Sequence, residues 1–131
     1  MSNTTLYDVR ADGKAYVIIA GRFEGNDDLA PVLYPIANPP GWTAARTADG
    51  VYTVTFADQY AAFISCTVSL EATTIGDIDG WRVYTSTYTA AANPTLKIHT
   101  YTEAATPGID SLTTGTFVNF MAVFRNTTVT P

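Results

Sequence analysis

Residues 51–56 read VYTVTF. Side chains along an extended chain alternate between two faces. Tyr52, Val54 and Phe56 therefore share one face, and Val51, Thr53 and Thr55 share the other. ADG at 48–50 precedes this run and FADQY at 56–60 follows it, both rich in turn formers. The segment is a half-buried strand between two turns, and the same residue types fill the rest of the chain. There are 22 Thr, 8 Tyr and 6 Phe among 131 residues. β-Branched and aromatic side chains suit a pleated surface, so the chain is expected to be nearly all β.

Further strands follow from the same alternation. Tyr16–Arg22, YVIIAGR, is a short apolar run closed by Gly21 and by GNDD at 25–28. In Phe63–Leu70 the residues Ile64, Cys66, Val68 and Leu70 fall on one face. Trp81–Thr89 sets Trp81 and Val83 against Arg82, Tyr84, Ser86 and Tyr88. Thr95–Thr102 sets Leu96 and Ile98 against Lys97, His99 and Tyr101. Phe117–Phe124, FVNFMAVF, is apolar on both faces except at Asn119, as a central or interface strand is. A weaker candidate lies at Leu6–Arg10. Turn material separates the strands: IGDIDG at 75–80, AAANP at 90–94 and ATPGID at 105–110. The four prolines of LAPVLYPIANPP, 29–40, exclude a helix or a central strand there and predict an extended connection. The expected architecture is one domain over 1–131, an antiparallel β-sandwich of jelly-roll-like type with seven or eight strands. A short arm covers about 1–14.

Composition narrows function mainly by exclusion. Apolar residues are 47% and charged residues 15% of the chain. The charged share is well under the usual quarter or so, which leaves the surface to neutral polar groups such as Thr. The net charge is −5, and the seven Lys and Arg are scattered. Nucleic acid and anionic membrane surfaces are disfavoured as partners, since both bind clustered cations. A single cysteine, Cys66, permits no intrachain disulfide. MSNTTLYDVR has no basic start followed by an apolar stretch, which predicts synthesis and folding in a cytoplasm.

No catalytic constellation stands out. His99 is the one histidine, and no nucleophile motif accompanies it. Cys66 alternates with Ile64 and Val68 and reads as a small core residue. Two acidic loops, Asn26-Asp27-Asp28 and Asp77-Ile78-Asp79-Gly80, carry oxygen ligands, yet turns use the same residues. The expectation is no enzyme, no cofactor and no metal. Aromatic residues are the excess. Tyr84, Tyr88 and Tyr101 fall on the polar faces of their strands, and a tyrosine-rich face suits a sugar, a protein partner or cross-strand pairing. Together with Phe117, Asn119, Met121 and Arg125 of the last strand, they form the candidate interface.

Arg46, Thr47, Gly50, Tyr52, Asp58 and Tyr60 within GWTAARTADGVYTVTFADQY, together with the run Val118–Asn126, resemble small virion proteins of tailed bacteriophages. The resemblance spans roughly residues 15–127. It implies a capsid decoration (cement) protein: a β-rich homotrimer on the outer surface of the icosahedral shell that clamps neighbouring subunits of the major capsid protein. An alternative is a receptor-binding or fibre-tip β-domain that reads host surface glycan through Tyr84, Tyr88 and Tyr101. The roughly fifteen residues before the first firm strand leave little room for a fibre shaft, which favours decoration.

Overall fold

VYTVTF is a strand with the predicted alternation: Tyr52, Val54 and Phe56 are buried and the residues between them are half-buried. A computed structural model describes residues 16–34, 41–73, 80–102, 108–109 and 112–125. They form β1 (Tyr16–Glu24), β2 (Val32–Tyr34), β3 (Trp42–Ala48), β4 (Val51–Phe56), β5 (Ala62–Ala72), β6 (Trp81–Thr89), β7 (Thr95–Thr102), β8 (Gly108–Ile109) and β9 (Thr116–Arg125), with no helix among the described residues. One sheet has the order β2-β1-β9-β5. The other has the order β3-β4-β7-β6, with β8 beside the end of β7. All ladders are antiparallel. The protein is an all-β sandwich.

Aromatic contacts hold the two sheets together. Trp42 of β3 meets Phe120 of β9 edge-on at 5.0 Å, and Phe56 of β4 meets Phe124 of β9 at 4.8 Å. Phe23 of β1 packs on Tyr52 of β4 at 5.1 Å. All six rings are buried. Such pairs add about 0.5–1.5 kcal/mol each beyond the area they remove from water. FVNFMAVF lies within β9 between β1 and β5, in the interior position its apolar character predicts. The first described strand thus pairs with the last.

Several local expectations change. Trp42–Ala48 is not among the strands expected from alternation but is an edge strand with one buried side chain, Trp42. Pairing with β4 holds it, and the register shifts between Arg46 and Ala48. The β3–β4 turn closes on Gly50 at φ 65°, a left-handed conformation that glycine adopts without strain. The proline-rich 29–40 contains β2, three proline-free residues at the rim of its sheet.

Two bulges reassign faces. A shift between Phe63 and Ser65 in β5 puts Phe63 opposite Phe124 and leaves Ile64 48% exposed, so Ile64 is off the face that Cys66, Val68 and Leu70 share. A shift between Thr85 and Tyr88 in β6 turns Tyr88 inward, where it stacks on Phe63 at 4.6 Å. A bulge adds one residue to a strand and reverses the faces beyond it. The arm at 1–14, the candidate strand Leu6–Arg10 and the acidic pair Asp77 and Asp79 lie outside the described residues.

Candidate functional site: the outer face of the first sheet

The seven candidate interface residues divide between three places. Phe117, Asn119, Met121 and Arg125 are on β9 and face away from the core on the first sheet. Tyr84 and Tyr101 face outward on the second sheet, where Tyr84 pairs with His99 and Tyr101 with Arg82. Tyr88 belongs to the inner layer, which corrects the expected three-tyrosine surface. The two outer faces point in opposite directions, so the seven cannot form one site.

Register fixes the neighbours on the first sheet. Tyr16, Ile18, Ala20, Arg22 and Glu24 of β1 lie beside Arg125, Val123, Met121, Asn119 and Phe117 of β9. Ser65, Thr67, Ser69 and Glu71 of β5 continue the rows from Val123 to Phe117. The face therefore has two halves of different chemistry.

One half is a polar network. Arg22 donates to Glu71 Oε2 at 3.1 Å, and Asn119 Nδ2 donates to Glu71 Oε1 at 3.0 Å. The Arg22 guanidinium lies 4.0 Å from the Phe117 ring centre, and Tyr34 meets the same ring edge-on at 6.0 Å. Phe117 is 8% exposed as a result. The chain covers it without a partner. The Tyr34 hydroxyl donates to Glu24 Oε1 at 2.9 Å, and Glu24 Oε2 accepts the Gly115 N–H at 2.8 Å. The Glu24 hydrogen bond raises the Tyr34 hydroxyl above its usual pKa.

The other half is mainly apolar and open, with Arg125 at its rim beside Tyr16. Ile18 is 61% exposed, Tyr16 53% and Met121 44%, with Ala20 and Val123 between them. Scattered exposed apolar side chains are ordinary, whereas these residues are neighbours on one face. Beside it a shallow groove of about 340 Å³ runs between β5 and β9, lined by Thr67, Val68, Ser69, Asn119, Phe120 and Met121. Of the sequence candidates, Met121 is the one centred here. Tyr16 and Ile18 carry as much of the surface and were not singled out. The signal was present in YVIIAGR, which is apolar on both faces as FVNFMAVF is.

The outer face of the second sheet holds the lone histidine. Tyr84 stacks flat on His99 at 5.1 Å, and Ser86 Oγ lies 2.6 Å from His99 Nε2. Burial and the neighbouring Lys97 hold His99 below its ordinary pKa, so it is neutral at pH 7. No described carboxylate bonds to His99 Nδ1, which leaves the Ser86–His99 contact without the orienting acid that a nucleophilic triad uses. Asp28, one of the candidate ion ligands, pairs with Arg46 at 3.2 Å. No group of three or more His, Cys, Asp or Glu could hold a metal among the described residues.

Comparison of the chain with protein-family models, with curated proteins and with solved structures yields no match.

Proposed function

We propose that the protein is a phage capsid decoration protein that binds the outer surface of the icosahedral shell and stabilises contacts between major capsid protein subunits. The observation that carries this reading is the open apolar half of the first sheet. It is a patch centred on Ile18, Val123 and Met121, beside a polar half in which Arg22, Asn119 and Glu71 bond to one another. A shell clamp works through many modest contacts multiplied by symmetry and needs shape more than reactive groups. Gly50, Tyr52, Val118, Phe120, Ala122 and Phe124 are buried turn or core positions that set the sandwich. The resemblance further implies three copies per assembly.

The glycan-reading alternative has less behind it. It relied on Tyr84, Tyr88 and Tyr101 acting together, and Tyr88 is inside. Sedimentation tests the main reading. Protein mixed with undecorated, expanded capsids is expected to pellet with them at micromolar concentration, and protein that stays in the supernatant refutes it.

A further inference from the structure

β5 is the longest described strand, 11 residues, and it ends its sheet: β9 flanks one side and no described strand flanks the other. Two backbone hydrogen bonds fix which of its backbone groups face outward. Gly25 N–H donates to Thr116 O at 2.8 Å, and Thr73 N–H donates to Gly115 O at 3.0 Å. Bonding alternates along an antiparallel ladder. Even-numbered residues of β9 therefore bond to β1, and odd-numbered residues bond to β5. On β5 it is Ser65, Thr67, Ser69 and Glu71 that bond to β9. The N–H and C=O groups of Cys66, Val68, Leu70 and Ala72 point to the open edge.

Among the described residues, most of the usual guards of an edge strand are missing from the ladder between Ser65 and Ala72. Proteins blunt such edges with proline, lysine, inward charges or bulges. Ala62–Ala72 contains no proline and no lysine, and its one charge, Glu71, is held on the sheet face by Arg22 and Asn119. The bulge lies at Phe63/Ser65, clear of the regular ladder from Ser65 to Ala72. Beneath this edge runs an apolar seam. Cys66, Val68 and Leu70 of β5 and Trp81 and Val83 of β6 point to the core yet remain only partly buried.

We propose that β5 pairs antiparallel with β5 of a second copy about a two-fold axis at Val68 or Ser69, continuing the four-stranded sheet into eight strands. The edge is self-complementary, and its neutrality permits a second copy there. Each copy carries −5, so two copies approach most easily along a surface without net charge. Ala62–Leu70 holds no charged residue, and Arg22 offsets Glu71. The pleat allows outward-facing residues to pair only with each other, so even positions meet even positions. With the axis at Val68, Cys66 meets Leu70 and Glu71 meets Ser65 of the second copy. With the axis at Ser69, Glu71 meets Thr67. Neither register opposes like charges. The first gives about six backbone hydrogen bonds and closes the seam. The contact is isologous, so it joins copies in twos whether or not a threefold contact also forms at the apolar face.

Light scattering and amide exchange on the unmodified protein test the pairing. The mass is expected to be an even multiple of 14.1 kDa at micromolar concentration. The Val68 and Leu70 amides should then exchange as slowly as those of Thr67 and Ser69, and dilution should release the first two. A monomeric or odd-numbered mass overturns the proposal. So does exchange at Val68 and Leu70 that stays about a hundredfold faster than at Thr67 and Ser69 at every concentration. Val68→Pro removes an outward N–H and no bond within the chain, and should halve the mass; an unchanged mass in a folded variant refutes the pairing. Should that variant not fold, the exchange pattern of the unmodified chain decides alone. Capsid sedimentation reads a separate property, so the pairing and the decoration reading fail independently.

Discussion

The hydroxyl oxygen of Tyr52 accepts the backbone N–H of Leu112 at 2.9 Å, across 60 residues of chain and in a fully buried setting. Tyr52 points inward from β4, and Leu112 lies just before β9. One phenol thus contributes both core area and a partner for a buried amide. Tyr52→Phe keeps the ring and strands the Leu112 N–H. It is expected to cost about 1–3 kcal/mol, read as a lower urea midpoint with an unchanged circular dichroism spectrum.

Gly21 sits opposite Phe120 in the β1–β9 ladder. A Cβ there would lie 2.5 Å from the Phe120 ring and 2.6 Å from Trp42 Cε2. Alanine therefore forces apart the edge-to-face pair that joins the sheets. Gly21→Ala should destabilise by roughly 1–3 kcal/mol, seen as a lower thermal midpoint, although alanine is ordinarily tolerated in a strand.

Charge has opposite consequences on the two faces of the first sheet. Phe120→Asp or Phe124→Asp places an unpaired carboxylate among buried rings, and neither variant should fold or assemble. Ile18→Asp and Met121→Lys alter exposed positions, so their unfolding free energies should stay within about 0.5 kcal/mol of the parent. Both should lose most of their capsid pelleting. A folded Ile18→Asp that pellets like the parent removes the apolar face from the mechanism.

His99→Ala should leave capsid binding nearly intact. The ring is neutral at pH 7, covered by Tyr84 and bonded to Ser86, and it lies on the sheet opposite the apolar face. The expected change is a loss of about 0.5–1.5 kcal/mol from the broken stack. A folded variant that no longer pelleted would move the capsid contact to the second sheet.

Burial pushes the Cys66 thiol from about 9 to about 11, partly opposed by a hydrogen bond from the Met121 backbone. The unfolded chain releases this proton first. The stability from keeping the thiol neutral is whole below pH 9 and is lost as pH rises through 11. Burial shifts Tyr60 and Tyr88 upward too, and their contributions fade in the same direction above pH 10. Denaturant midpoints should therefore decline in that range. Cys66→Ala should flatten the part of the decline that begins near pH 9, and a thiol reagent should label the native protein slowly at pH 8.

The sequence by itself determined the class of fold. Period-two alternation in Val51–Phe56 and Thr95–Thr102, together with apolar character on both faces of Phe117–Phe124, requires strands and an interior place for the last one. It also limited the chemistry, because one histidine and one cysteine leave few catalytic sets to build. Tertiary structure decided which residues share a surface. Alternation assigns a face only until a bulge adds a residue, so Tyr88 moved inward and Ile64 outward. Trp42–Ala48 shows no alternation and became a strand because β4 offered it a ladder. Tyr16, Ile18 and Met121 lie more than a hundred residues apart along the chain at their extremes. They meet because β1 pairs with β9, a register that local sequence does not encode and that the packing of Phe120 and Phe124 against Trp42 and Phe56 enforces.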